Sequence, residues 1–173
     1  MSGFFGGGAS GAGGTKTLAV FTPPDNQPTA TNFATLDTRN SIAVLDFDDG
    51  ATNEESTFVG CIPEAATLSS GIKVRITWAA TSATSGNCRW GAQWMKLDTD
   101  IDSDSFDTAT EGQSATSGTS GICTTTEITC TNIDSLAAGD FFRLKIYRDS
   151  SDTTNDTMTG DAELISVEVR SAV

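Results

Sequence analysis

Four aspartates at every second position are the residues best suited to chemistry: Asp98, Asp100, Asp102 and Asp104. A calcium loop surrounds its hard cation with oxygen ligands at alternating positions in this way. The match is incomplete, because such a loop has glycine at its sixth position and glutamate at its twelfth, where this chain has Ser103 and an alanine. We therefore expect either a Ca2+ site at the four aspartates or a solvated acidic loop.

A second acidic group, Asp46, Asp48 and Asp49, follows a predicted strand and ends at Gly50. The same two interpretations apply to it, a set of cation ligands or a solvated turn. The sequence leaves Ca2+ open as a cofactor, and we expect no other.

The four cysteines, Cys61, Cys88, Cys123 and Cys130, form no Cys-x-x-Cys pair, and the chain has no histidine. A zinc site of the usual kinds is therefore not expected. The N-terminus has no export signal, so we expect synthesis in a reducing cytoplasm, where thiols stay free. A bridge between Cys123 and Cys130 across a hairpin remains open. Cys61 and Cys88 lie on strand patterns typical of small core residues.

Catalytic constellations are scarce in this sequence. Without histidine there is no Ser-His or Cys-His pair and no imidazole base. The chain has no G-x-S-x-G motif, and its Gly-rich stretch 5–14 lacks the flanking strand and helix of a phosphate-binding loop. A carboxylate pair could serve a glycosidase, but among 23 acidic residues almost any two look paired. The sequence predicts a protein that is not an enzyme.

All three tryptophans, Trp78, Trp90 and Trp94, fall in the stretch 71–97. This stretch shows two strands with period-2 alternation, joined by a turn of small and polar residues. Aromatic side chains bury about 150–250 Å² each, so we expect this hairpin to be the centre of the core. Exposed tryptophans that stack on a saccharide are the alternative.

Short strands separated by Gly, Pro, Ser, Thr and Asp turns fill the rest of the chain. One mildly helical stretch lies at 64–70, and a long polar excursion runs from 98 to 121. This spacing predicts an all-β fold, an antiparallel β-sandwich of jelly-roll type. The remaining predicted strands are 17–21, 33–40, 42–47, 56–62, 122–132, 140–148 and 161–170, the last with Ile165, Val167 and Val169 on one face.

The first sixteen residues differ from the rest, because glycine takes seven of the first fourteen positions. We therefore divide the chain into an extended Gly-rich arm, 1–16, and a single sandwich domain, 17–173. Such an arm cannot bury enough surface to fold alone, so it is either a disordered tail or a segment held by a partner surface. In the second case its phenylalanines are apolar anchors. The expected partner-binding residues are Phe4, Phe5, Gly6, Gly7 and Gly8.

The net charge of −13 bears on the choice of partner. A strongly acidic chain repels nucleic acid and anionic membrane surfaces. The sequence also has no run of ~18 apolar residues that would form a transmembrane helix. We therefore expect neither a nucleic acid nor a membrane as partner.

Several stretches resemble a group of small proteins encoded among the structural genes of tailed bacteriophages. The likeness spans about residues 20–171 and is one of general sequence pattern, without a catalytic motif. It implies a jelly-roll virion accessory protein: a head decoration, cement or head-fibre subunit, or a tail-associated one. The stretches that carry it are 33–49 (FATLDTRNSIAVLDFDD), 71–94 (GIKVRITWAATSATSGNCRWGAQW), 100–106 (DIDSDSF), 134–149 (DSLAAGDFFRLKIYRD) and 160–170 (GDAELISVEVR).

The resemblance implies the major capsid protein or other virion proteins as partners, a homotrimer as the oligomeric state, and the virion as the location after synthesis in the host bacterial cytoplasm. It supplies no site residues. Two hypotheses follow. The chain is a structural subunit bound to a phage capsid through its arm, or it is a tail- or fibre-associated module that binds a host glycan through the loop 98–121 or an exposed tryptophan.

Overall fold

The computed structural model describes residues 15–98 and 100–172, so the predicted arm contacts Phe4 to Gly8 lie outside the described residues. Within that part of the chain ten strands form, and a 3-10 helix, Pro23–Asp25, follows the first of them. The strands are β1 (Thr17–Phe21), β2 (Thr35–Arg39), β3 (Ile42–Phe47), β4 (Glu55–Cys61), β5 (Ile72–Ala80), β6 (Asn87–Lys96), β7 (Thr110–Ala115), β8 (Thr124–Cys130), β9 (Phe141–Arg148) and β10 (Ala162–Ser171).

Two antiparallel sheets pack face to face. The six-stranded sheet has the order β2-β3-β10-β5-β8, with β1 also paired to β10, and the four-stranded sheet has the order β4-β9-β6-β7. Apolar side chains from both inner faces form the core between them. The predicted antiparallel β-sandwich is confirmed, and the narrower jelly-roll assignment stays a prediction.

Strand β10 lies at the centre of the six-stranded sheet. It pairs with β5 along one side and shares its other side between β3, at Ala162–Leu164, and β1, at Val167–Arg170. A bulge after Leu164 shifts the register of β10 against β5. The predicted alignment of Ile165 with Val167 and Val169 is therefore wrong, because the bulge turns Leu164 into the core and leaves Ile165 half-buried.

The predicted tryptophan hairpin is wrong in its pairing. Strands β5 and β6 lie in different sheets, so their connection arches over the core instead of forming a hairpin. Trp78 faces Trp90 across this core, with ring centroids 6.2 Å apart. The prediction that the tryptophans are core residues is confirmed, because Trp78, Trp90 and Trp94 are each 0% exposed. A saccharide platform built from exposed tryptophans is thereby contradicted.

Two other stretches also differ from expectation. Residues 64–70 form turns and no helical turn. The polar excursion 98–121 contains strand β7, which pairs with β6. Its sequence, TEGQSA, has no large apolar side chain, because it covers the core with small residues at an edge of the four-stranded sheet. Hydrophobic alternation therefore could not predict it.

All four cysteines are free. Cys123 directly precedes strand β8 and Cys130 is its last residue, so they lie roughly 20 Å apart at about 3.3 Å per residue and the bridge left open above does not form. Cys88 is buried as expected, but Cys61 is exposed. In the part of the chain that the structure describes, no helix has the length and apolar character needed to cross a membrane.

Candidate functional site: an apolar groove beside an edge strand

The four aspartates of the predicted calcium loop do not converge on one point. Asp98, Asp100 and Asp102 are exposed. Their carboxylates serve the local turn instead: Asp100 Oδ1 accepts the Asp102 N–H at 3.1 Å, and Asp104 Oδ2 accepts the Asp98 N–H at 3.3 Å. Across residues 15–98 and 100–172, no three Cys, Asp or Glu side chains are grouped so that they could hold a metal ion. The Ca2+ prediction gains no support from this geometry.

In the second acidic group, Asp46 differs from the exposed Asp48 and Asp49. It lies on the outer face of the six-stranded sheet, directly opposite Glu163 of β10. Its Oδ1 is buried without a hydrogen-bond partner, whereas Glu163 pairs with Arg39. Burial first, and the charge of Glu163 second, raise the pKa of Asp46 to about 6. This carboxyl therefore takes up a proton about two pH units above the ordinary range of aspartate.

A buried ion pair fastens the loop between β9 and β10. Arg148 is fully buried and donates from Nε and Nη2 to the two carboxylate oxygens of Asp156, at 3.0 and 2.9 Å. It also donates to the carbonyl oxygens of Phe47, Met158 and Gly160, at 3.2, 2.7 and 2.8 Å. Burial acts to lower the pKa of Arg148, but Asp156 outweighs it and the pKa is raised. All five guanidinium N–H groups are thus satisfied.

Neighbouring loops bind to this loop at the same end of the sandwich. The Gly160 N–H donates to Asp49 at 2.6 Å, the Asn87 N–H donates to the Thr157 hydroxyl at 2.9 Å, and the Ser150 hydroxyl donates to a carbonyl in the β3–β4 loop at 2.6 Å. We call the loops 48–54, 81–86 and 149–161 the locked end. Its polar groups are bonded to one another around Arg148.

An apolar groove of about 330 Å³ opens between the segment after β1 and the start of β2. Its lining includes Pro23, Pro24 and Pro28 from the first segment, and Phe33 and Leu36 from the second. Phe33 is 48% exposed and Leu36 is 59% exposed. We call this feature the proline groove, and it leaves large apolar side chains in contact with solvent.

Both walls of the proline groove are hydrogen-bonded to strand β4. Asn26 Oδ1 accepts the Thr57 N–H at 3.0 Å, and the Gln27 N–H donates to the Thr57 carbonyl at 2.7 Å. On the other wall the Ala34 N–H donates to the Glu55 carbonyl at 3.1 Å. Pro28 lies between these anchors and Pro23 and Pro24 lie just before them, and each proline has a fixed φ angle. The groove is therefore preformed and does not depend on a ligand for its shape.

Strand β2 forms one side of this feature and is the last strand at its end of the six-stranded sheet. A strand in that position presents unpaired N–H and C=O groups along its outer edge. Leu36 of β2 lies opposite Leu45 of β3, yet Leu45 is 0% exposed and Leu36 is 59% exposed. The core therefore ends between these two leucines, and β2 extends beyond it.

Among the described residues, the lining of the groove contains no charged side chain, although Asp25 lies between two of its residues, Pro24 and Asn26. In β2 the acidic Asp37 is balanced by Arg39. The Thr22 N–H and the Thr22 hydroxyl both donate to Asp25, each at 2.8 Å, and these bonds lower the pKa of Asp25. This carboxylate therefore stays ionised at the groove. A second acidic segment would be repelled here.

The outer face of the four-stranded sheet is partly covered by the loop before β7. The Phe106 ring lies 5.4 Å from the Arg143 guanidinium and 4.6 Å from the Lys145 ammonium. Nearby, Tyr147 crosses Gly91, where a Cβ would come within 2.1 Å of the ring, and donates to Glu111 at 2.6 Å. This part of the loop 98–121 packs on its own sheet.

Sequence reasoning missed both the proline groove and the buried Arg148. For Arg148 the pattern held a clue, because period 2 places it on the core face of β9 with Phe142, Leu144 and Ile146. For the groove, Pro23, Pro24 and Pro28 indicate only a rigid connection between strands. Nothing in the sequence indicated that this connection would bind β4, some thirty residues further on.

No family model and no curated protein matches the chain. Among solved structures, the chain is similar to an arabinose-bound MgGH51 α-L-arabinofuranosidase, with a TM-score of 0.44 and 13% identity. The match covers 84% of this chain and 23% of that one, so the chain spans about a quarter of the enzyme's length. A likeness this distant carries no argument about activity.

Proposed function

We propose that this chain is a non-enzymatic structural subunit of a bacteriophage particle, a capsid decoration or head-fibre protein of jelly-roll type. It attaches through its N-terminal arm, residues 1–16, to the major capsid protein or another virion protein. Its location is the virion, and its oligomeric state is a homotrimer. Two features support this role: the resemblance of the sequence to phage structural proteins, and the hydrogen bonds that tie the end of the arm to β10.

The observation that carries the proposal is the fastening of the chain where the arm enters the sandwich. The Lys16 N–H donates to Ser171 Oγ at 2.9 Å, and the Lys16 carbonyl accepts the Ser171 N–H at 2.9 Å. From Thr17 onward β1 pairs with β10, and it ends at Phe21, whose ring stacks on Phe58 at 5.2 Å. The end of the arm is thus connected to the domain by a strand pair and a core side chain, and such a connection suits a segment that anchors the domain to a partner.

The strand order supports the jelly-roll part of the proposal. The strands β3-β10-β5-β8 face β4-β9-β6-β7, four against four. The chain changes sheet at every connection from β3 onward except the one between β6 and β7. A jelly roll is a double sheet of eight strands connected in this crossing manner.

Co-sedimentation with undecorated phage heads tests the proposal. We expect the full chain to pellet with heads, because several weak apolar anchors act together on one particle. A Phe4→Ser/Phe5→Ser variant should stay in the supernatant, because it has lost these anchors. Ile101→Ser is the matched control, since it removes an apolar side chain that is 69% exposed outside the arm. It should pellet like the unmodified chain.

Failure of the full chain to pellet would remove the head assignment. The alternative is then a tail- or fibre-associated module that binds a host glycan through the loop 98–121. Because the tryptophans are buried, that alternative depends on the loop alone. Retention of the full chain on immobilised host polysaccharide would measure it directly.

A further inference from the structure

We propose that the proline groove receives the N-terminal arm of a second copy of this chain, and that a phenylalanine of that arm, Phe4 or Phe5, enters the groove. The inference deepens the proposed function and rests on its homotrimer, because it assigns the contact that joins one copy to the next. Arm exchange of this kind would join copies without a contact between their sandwich domains.

The groove and the adjacent edge of β2 suit an extended segment with an apolar side chain. A volume of about 330 Å³ lies at the lower end of the range of pockets that bind small ligands, which suits one or two side chains. The free edge of β2 can add the backbone of such a segment as a further strand. Exposed Phe33 and Leu36 would then be covered.

The direction of β1 indicates a second copy as the source of the arm. Strand β1 runs from Thr17 toward the groove, which begins at Pro23, so the arm leaves from the far end of β1. That end lies roughly 16 Å back along the strand, at about 3.3 Å per residue. Phe5 precedes Thr15 by ten residues, a reach of up to about 35 Å. To reach its own groove the arm would have to turn back along β1, whereas it can reach a neighbour's groove in extended form.

Charge also favours the arm as the occupant. The first 24 residues contain one charged side chain, Lys16, so this segment carries +1 of the total of −13 and the rest of the chain carries −14. Two bodies of −14 repel each other within a Debye length, about 8 Å at physiological salt. An arm whose only charged side chain is Lys16 can approach the uncharged lining of a neighbour's groove and hold the two bodies apart.

The two phenylalanines of the arm are adjacent in sequence, and this limits how they can bind. In an extended segment successive side chains point to opposite faces, so Phe4 and Phe5 cannot both enter one groove. The three glycines that follow, Gly6 to Gly8, permit a close approach of the backbone to β2. We therefore expect one of the two phenylalanines to account for nearly all of the binding.

The test is the self-association of the full chain, measured by sedimentation velocity from 1 to 200 µM. We expect reversible association that is weakened at least tenfold by Leu36→Ser and by one of the single variants Phe4→Ser and Phe5→Ser. Ile101→Ser, a matched loss of an exposed apolar side chain outside the groove, should associate like the unmodified chain. Phe33→Ser is a second groove variant, for use if Leu36→Ser does not fold.

A mixing experiment separates arm exchange from direct contact between bodies. Leu36→Ser retains an unmodified arm, and the arm variant retains an unmodified groove. In an equimolar mixture the arm of the first can therefore bind the groove of the second. We expect each variant alone to be monomeric and the mixture to form a heterodimer that grows no further.

Three results would overturn the proposal: a full chain that is monomeric up to 200 µM, association that survives either the arm variant or the groove variant, and a mixture that stays monomeric. These outcomes are independent of particle binding. Leu36→Ser should still pellet with phage heads if the proposed function is correct, because its arm is intact. The arm variant should be weakened in both self-association and particle binding, since the arm supplies both contacts.

Discussion

The locked end and the proline groove differ in what they bury: the first buries a charged side chain, and the second leaves apolar side chains exposed. At the locked end a charged side chain, Arg148, is buried completely and every N–H group it carries has an acceptor. At the proline groove apolar side chains, Phe33 and Leu36, are left uncovered although the walls around them are fixed. In the first region the guanidinium of Arg148 has a hydrogen-bond acceptor within the protein for each N–H, whereas in the second region apolar side chains remain in contact with solvent.

The difference indicates where stability resides and where a partner can bind. A fully bonded ion pair gains nothing from a ligand, and it loses much when one member is removed. An exposed apolar surface held in a preformed shape adds little to folding and gains free energy when a partner covers it. We therefore expect mutations at the locked end to act on folding and mutations at the groove to act on association.

The largest effect is expected at Arg148. Arg148→Met should lower the free energy of unfolding by about 3–5 kcal/mol, because Asp156 is left buried and charged without its partner. Urea denaturation followed by tryptophan fluorescence measures the change. Arg143→Met on the outer face of the same strand is the control and should cost less than about 1 kcal/mol. Equal losses in the two variants would contradict the role of the buried pair.

The second effect contrasts two leucines that face each other across β2 and β3. Leu45→Ala should cost about 2–5 kcal/mol, because it leaves a cavity in the core. Leu36→Ala, at an exposed position, should change stability by less than about 0.5 kcal/mol. Thermal melts of both variants test the boundary of the core. A large loss at Leu36 would mean that β2 is covered in solution.

The smallest effect is a pH dependence at Asp46. Its folded pKa of about 6 exceeds the ordinary 3.8, so its contribution to stability is full below pH 3.8 and is lost as the pH rises through 6. Asp46→Asn should therefore raise the free energy of unfolding at pH 8 by about 1–2 kcal/mol, after allowance for partial exposure, and change it little at pH 4.

Denaturation of the Asp46→Asn variant and the unmodified chain at pH 4, 6 and 8 checks this dependence. Asp102→Asn, at an exposed position in the acidic loop, serves as the control and should show no trend with pH. A gain in stability that is the same at pH 4 and pH 8 would contradict the raised pKa.

Much of the fold followed from local pattern. Alternation in the predicted strand 140–148 places Phe142, Leu144 and Ile146 on one face, and all three are buried. The tryptophans of β5 and β6 are buried as expected. The pairing of β5 with β6 was wrong, because alternation identifies a buried face and not the strand that lies beside it. Two strands adjacent in sequence satisfied the same pattern by facing each other across the core.

The candidate site was the harder part to predict. The alternating aspartates at Asp98–Asp104 predicted a calcium loop, yet the carboxylates of Asp100 and Asp104 accept hydrogen bonds from their own turn. The proline groove depends on hydrogen bonds from Asn26 and Gln27 to Thr57, and such distant contacts leave no trace in a single sequence. The bulge that displaced Ile165 is equally invisible, since an inserted residue changes the facing of side chains without changing their character.

The central position of β10 has a consequence for synthesis on the ribosome. Its three partners, β1, β3 and β5, are all made before it, and the Lys16–Ser171 contact spans 155 positions of the chain. Until β10 emerges, the β2–β3 hairpin and the β5–β8 pair are two separate parts of the sheet with unpaired inner edges. The nascent chain therefore completes its larger sheet only after β10 is made, because β10 joins the two parts through long-range contacts.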